Sequence, residues 1–176
     1  MDALGLSYRI LVPRVRERQP SRHRPQALVQ LNARLKAEWA AARLTHGVVL
    51  AADTVVVLGR RIFGKPAGRA MAVRMLRALS GKTHRVYTGV CVVDVDKRRT
   101  TLDVSVTRVR MRRLSPADIN AYVRRAKPWD KAGAYAVQDA GEMLIDRLHG
   151  SLSNVVGLPL DVVEKRLRRC GLVPSR

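Results

Sequence analysis

Residues 48–66, VVLAADTVVVLGRRIFGKP, decide the fold. Two apolar runs, residues 48–52 and 55–58, flank a single Asp-Thr pair. A segment so rich in Val reads as a strand covered on both faces. A carboxylate at the end of such a run has lost much of its water and requires a cation, a hydroxyl or a backbone N–H. Ligands of open α/β sheets gather at the carboxyl ends of strands, which marks Asp53 as a place for chemistry. A few residues on, Gly64-Lys65-Pro66 sets one cation on a stiff turn near that carboxylate. An acid and a base held this way point to a polyanion handled through a metal. The plainer alternative is an aspartate that caps a turn.

The chain has 176 residues, enough for one domain, 1–176, or two lobes sharing a cleft, with a real core. A hydrophobic fraction of 47% excludes disorder. No apolar run approaches the roughly 20 residues of a membrane helix. The start, MDALGLSYRILVPRVR, lacks the basic-then-apolar layout of a signal peptide, so the chain reads as cytoplasmic. Cys91 and Cys170 have no metal-ligand spacing and read as free thiols without a role. The formal charge of +20 predicts non-specific affinity for polyanions. Aromatic residues make up only 4%, which argues against a platform for stacking single-stranded bases.

Around the central strand, LSYRILV near the start is compatible with another strand, and residues 14–25 read as a basic loop. Glu17 is the only acid among Arg14, Arg16, Arg18, Arg22 and Arg24. It is either a surface ion pair or a ligand or base for metal-bound water. Residues 26–44 form a helix with an apolar stripe of Leu28, Leu31, Leu35 and Trp39. Lys36 lies beside that stripe, where its stem packs while its ammonium reaches either solvent or a cleft. Helices follow at 68–79, 115–126 (Ser115 as N-cap, Pro116 at N1, Asp118 at N3) and 160–170. Strands are expected at 83–96, with a close backbone approach at Gly89, at 100–114 and at 142–148. Arg108, Arg110 and Arg112 share the open face of the 100–114 strand. Residues 150–159 read as a polar turn. In WDKAGAYAVQ (129–138), Asp130, Lys131, Tyr135 and Gln138 bracket small residues that let backbone come close to something. The alternation of helices and strands suggests an α/β domain with a mixed sheet.

There is no P-loop, no G-x-G-x-x-G fingerprint and no G-x-S-x-G elbow. His23, His46, His84 and His149 lack zinc spacing, and nothing supports a nucleophilic Ser or Cys.

Four segments in this order resemble the Maf family of nucleoside triphosphate pyrophosphatases. They are Ala52-Asp53-Thr54-Val55-Val56 with Gly64-Lys65-Pro66; Leu79-Ser80-Gly81-Lys82-Thr83-His84 with Thr88-Gly89-Val90; Asp130-Lys131-Ala132-Gly133-Ala134-Tyr135 ending at Gln138; and Asn154-Val155-Val156-Gly157-Leu158-Pro159. The first and third are similar to the branch that hydrolyses dTTP and UTP. The resemblance implies an elongated mixed sheet flanked by helices, two lobes with a cleft as in inosine triphosphate pyrophosphatases, and a homodimer. By motif, Asp53 is the proton acceptor, Thr54 and Gln138 select the base, and Lys36 and Lys65 contact phosphates. Glu17 and Asp53 hold a divalent cation, Mg²⁺ or Mn²⁺, and the products are the nucleoside monophosphate and pyrophosphate.

Family members open with a strand and a Ser-x-Ser-Pro-Arg-Arg loop that cradles phosphate. This chain reads as N-terminally truncated just after it, through a start placed downstream or a real loss. Arg16 stands where the family usually has an acid. Two alternatives follow: a truncated, catalytically weak homologue that only binds nucleotide, and a basic nucleic-acid-binding module.

Overall fold

The computed structural model describes residues 5–19 and 24–172, the side chains of 139–142 excepted. Arg22 and His23 of the basic loop lie outside the described residues. The elements run α1 (Pro25–Ala41), β1 (Val48–Leu58), β2 (Arg61–Phe63), α2 (Arg69–Leu79), β3 (Thr83–Asp94), β4 (Arg99–Met111) and α3 (Pro116–Ala126). A 3-10 turn (Ala132–Ala134), α4 (Val137–Leu144), β5 (Ile145–His149), α5 (Leu152–Val156) and α6 (Leu160–Arg169) complete them.

The α/β class holds, with one sheet in the order β2-β1-β3-β4-β5 flanked by helices. The mixed sheet does not: every described pairing is antiparallel. The reason is β2, three residues too short to stand out in the sequence. A hairpin turns β1 into β2, and α2 then carries the chain to β3 on the far side of β1. β2 and β3 therefore run the same way with β1 opposed to both. Along residues 48–55 the outer edge of β1 meets no described strand, because β2 reaches only Val56.

Both faces of β1 are covered, as its composition requires. On one face Val49, Val55 and Val57 pack under α1, whose buried side is Leu28, Val29, Asn32, Ala33, Ala37 and Ala40. Leu31, Leu35 and Trp39, expected to form the stripe, are only half-buried. The alanines let the helix come close. A Cβ at Gly89 would stand 2.4 Å from the Val29 carbonyl oxygen, so the close approach expected there holds.

The opposite face carries two separate packages. Val56, Val86, Val109 and Met111 pack with α2 and α3 at one end, and Val90 and Val92 with Val163 and Leu167 of α6 at the other. Each fully buried aliphatic side chain contributes about 1.5–3 kcal/mol, so each package is a core of its own. Ala52 and Thr54 floor the gap between them, and that gap is the expected cleft between two lobes.

Local readings divide. The start of α3 is as expected: the Ser115 hydroxyl accepts the Asp118 N–H at 3.1 Å, and the Asp118 carboxylate accepts the Ser115 N–H at 3.0 Å. LSYRILV is not a strand, and Ile10 and Val12 are exposed. Residues 142–144 end α4, and β5 begins only at Ile145. The polar turn at 150–159 contains α5, whose N-cap Ser151 accepts the Asn154 N–H.

Candidate active site

Asp53 is not at a strand tip. It sits halfway along β1, opposite Gly89 and facing α1, and is 8% exposed. The two apolar runs are one strand, and the aspartate is buried in mid-course. Burial on that scale demands partners, and α1 supplies them from Asn32 and Lys36, one turn apart on the same face.

Lys36 Nζ donates to Asp53 Oδ1 at 2.6 Å and to the Ala52 carbonyl at 3.3 Å, and pairs with Glu17 Oε1 at 2.9 Å. An ammonium has three protons, and each has an acceptor here. Asn32 Nδ2 donates to Asp53 Oδ2 at 3.1 Å and to the Arg18 carbonyl at 3.2 Å, while its Oδ1 accepts the Arg18 N–H at 2.8 Å. The loop carrying Glu17 is thereby stapled to α1 and the central strand. Burial pushes the Asp53 carboxyl above the ordinary aspartate range, against the opposite pull of Lys36 and Asn32. Burial also works against the charge on Lys36, but its two carboxylates outweigh it and hold its pKa above the usual lysine value.

The cleft opens beside this cluster. Lys36, Asp53 and Thr54 line it from the sheet side, with Lys65, Lys131 and Gln138 around the rim. The 3-10 turn is fixed against β1 by Gly133. Its φ is +70°, a Cβ there would come within 2.9 Å of Val56 Cγ2, and its N–H donates to the Gly64 carbonyl at 3.0 Å. That bond joins the Lys65 turn to the segment bearing Lys131 and Gln138. Deeper in, His84 Nε2 lies 2.7 Å from the Tyr135 hydroxyl and the Tyr122 hydroxyl accepts the Ala136 N–H, which anchors the same segment to the core.

The opposite wall is α5. Asn154, fully buried, donates from Nδ2 to the Val86 carbonyl at 3.2 Å and to Thr107 Oγ1 at 2.8 Å. Thr88 Oγ1 donates to the Asn154 carbonyl and lies 2.9 Å from Thr54 Oγ1. A Cβ at Gly157 would reach to 3.3 Å from Thr54 Oγ1, so the wall closes tightly over Thr54.

All six residues singled out in the sequence come to this place: five line the cleft, and Glu17 joins them through Lys36. Lys36 and Lys65 differ, however. Lys36 is fully engaged by two carboxylates and the Ala52 carbonyl, whereas Lys65 is exposed at the rim. Sequence reasoning missed Asn32 and Thr88. A signal for Asn32 existed, since it falls four residues after Leu28 and four before Lys36, a polar residue on the buried face of an apolar helix. Among the described residues no group of three or more His, Cys, Asp or Glu gathers in one place.

A family model for Maf-like proteins matches residues 1–170. The chain belongs to the Maf-like family. Among curated relatives, the dTTP/UTP pyrophosphatase of Moorella thermoacetica is 44% identical over 96% of this chain and 87% of its own length. The dTTP/UTP pyrophosphatase of Syntrophomonas wolfei is 40% identical over 97% of this chain and 90% of its own. That of Gloeobacter violaceus is 42% identical over 93% and 85%. This Maf-like chain thus matches the named pyrophosphatases along almost its whole length. No helix among its described residues is long and apolar enough to cross a membrane.

Proposed function

We propose that this Maf-like protein is a nucleoside triphosphate pyrophosphatase of the cytoplasm, acting on dTTP and UTP and releasing the nucleoside monophosphate and pyrophosphate. The observation that carries the reading is a buried carboxylate, Asp53, held by Lys36 and Asn32 at the side of a cleft rimmed by Lys65 and Lys131. The likeness to enzymes named dTTP/UTP pyrophosphatase agrees with it.

Cleavage of a phosphoanhydride rests on positioning and charge compensation more than on covalent chemistry. Asp53 takes the proton of the attacking water. Its pKa, raised by burial, brings it nearer to neutral pH, where a general base works best. Lys36 keeps Glu17 and Asp53 side by side despite their mutual repulsion. This clamp is the role its geometry favours over a first contact with phosphate. Lys65 and Lys131 face the triphosphate from the rim and offset charge on the departing pyrophosphate. Lys131 does so while paired with Asp130 at 2.9 Å, and Lys65 has no ion pair among the described residues. Thr54 on the floor and Gln138 on the rim contact the base.

The donor set also fits a small divalent cation. Two carboxylates and the Ala52 carbonyl, all hard oxygens, converge on one ammonium. Glu17 and Asp53 would hold Mg²⁺ or Mn²⁺ together with phosphate oxygens, and when bound it would supply further neutralisation of the triphosphate. A homodimer is the assembly proposed on family likeness.

The test is product analysis by anion-exchange chromatography of dTTP and UTP incubated with the purified protein. Monophosphate and pyrophosphate in equal amounts are expected. Diphosphate and inorganic phosphate, or no turnover with bound nucleotide, would overturn the reading.

A further inference from the structure

The face of the sheet that α1 covers continues beyond the helix, and what lies there is not apolar. Residues opposite one another on antiparallel strands share a face. The register places Arg85 of β3 opposite Arg108 of β4, and Arg108 opposite His149 of β5. One step further, Arg110 of β4 stands opposite Arg147 of β5, with Thr83 on its other side. The parity that puts Val55, Tyr87 and Asp53 under α1 puts these residues on the same face, past the contact of Leu28 and Val29. All four arginines and His149 are exposed, and none of the four makes an ion pair with a described residue.

Like charges directly opposite on neighbouring strands destabilise a sheet. This face has two such pairs, Arg85–Arg108 and Arg110–Arg147, side by side. Cross-strand neighbours lie about 5 Å apart and alternate residues about 7 Å apart along a strand. The result is a lattice of arginines whose backbone positions are spaced on the scale of phosphates along a nucleic acid.

We infer that this open sheet face is a docking surface for the phosphate backbone of duplex nucleic acid, bound without sequence preference. Guanidinium forks suit phosphate oxygens, and a polyanion laid on the lattice removes the repulsion the strands otherwise carry. The occupant is a duplex and not a single strand because the exposed lattice holds no Phe, Tyr or Trp on which unpaired bases would stack. A second copy of the chain is disfavoured, since it would bring a second set of arginines. An acidic membrane would call for apolar anchors, and only Val106, 45% exposed, stands next to the lattice. The surface lies apart from the cleft, which opens between α5 and the 3-10 turn.

The experiment is fluorescence anisotropy with a labelled mixed-sequence duplex of about 20 base pairs, titrated between about 50 and 200 mM salt. Three proteins are compared. One is the unaltered chain. The second combines Arg85→Thr, Arg108→Thr, Arg110→Thr and Arg147→Thr. The third combines Arg69→Gln, Arg74→Gln, Arg77→Gln and Arg124→Gln on exposed positions of α2 and α3, with the same loss of net charge. Four neutralised phosphates give a log–log salt slope of about −3.6, or about a 150-fold loss of affinity over that range. The lattice variant should lose about that part of the slope and most of the affinity, while the helix variant changes slope by less than about one. Retained pyrophosphatase turnover in both variants verifies their folding. Equal losses in the two variants would overturn the proposal in favour of diffuse charge. So would an unaltered protein that ignores the duplex yet sediments with phosphatidylglycerol vesicles.

Discussion

Two charged constellations occupy one face of one sheet, roughly 13 Å apart along β3, and they are built on opposite terms. Under α1, Asp53 has every oxygen partnered, by Lys36 and Asn32. Beyond the end of α1, Arg85, Arg108, Arg110 and Arg147 have no ionic partner among the described residues and face one another. Burial accounts for the difference. A charge removed from water must be satisfied inside the molecule, whereas a charge left in water needs nothing from it. Full pairing at a covered site therefore signals built chemistry, and unpaired repetition at an open one directs attention outward to a partner.

The covered site offers the largest effects. Asp53→Asn should lower pyrophosphate release by about 10³-fold while nucleotide affinity, measured by equilibrium dialysis, changes only a few-fold. Near-normal turnover would return Asp53 to a structural role. Lys36→Met leaves two carboxylates without their shared cation and should cost about 3 kcal/mol in urea unfolding. Combining it with Asp53→Asn should recover part of that loss, because the repulsion it releases is then gone.

A neutral covered group extends the comparison. Burial pushes His84 down to about 4 from its ordinary 6.5. The folded protein keeps this histidine neutral where the unfolded chain would protonate it. Its contribution is complete above pH 6.5 and declines as pH falls toward 4, a swing on the order of 3 kcal/mol. Unfolding midpoints followed over that window should fall with pH, and the dependence should flatten in His84→Gln. Asn32→Leu is smaller. It removes one hydrogen bond to Asp53 and two to Arg18 while nearly preserving volume. About 1–2 kcal/mol of stability should go, with kcat reduced about tenfold and KM little changed if the amide chiefly orients Asp53.

How much of this was legible in advance follows the same division. The Val-rich run around Asp53 announced a buried strand, and the acid inside it announced a site, because local composition reports burial directly. Gly89 was legible for a similar reason: a residue without a side chain, in the middle of a strand, marks contact with another backbone. Asn32 was legible only in part: its step of four from Leu28 marks a polar residue on the buried face, but its partner stays unknown until the neighbouring strand is placed. The antiparallel sheet turned on β2, whose three residues are too few to show a period, and the mid-strand position of Asp53 on the unbroken pairing of β1 with β3. The arginine lattice was half legible. Alternation put Arg108 and Arg110 on one face of β4, but only strand register sets Arg85 and Arg147 against them.

The open site predicts the smallest effect and the one with the opposite sign. Arg85→Thr replaces one member of a like-charge cross-strand pair with a β-branched residue suited to a strand. It should stabilise the protein by about 0.5 kcal/mol at low salt, read as a rise of about 1–2 °C in the thermal midpoint. At 1 M salt the Debye length falls to about 3 Å, so the repulsive part of the gain should vanish and only the strand propensity of threonine remain. Arg85→Lys supplies the control, keeping the charge and gaining nothing at either salt concentration. If Arg85→Thr destabilises the fold at low salt, the guanidinium is packed by its neighbours instead of repelled by them. The contrast between the two halves of the face would then lose its physical basis.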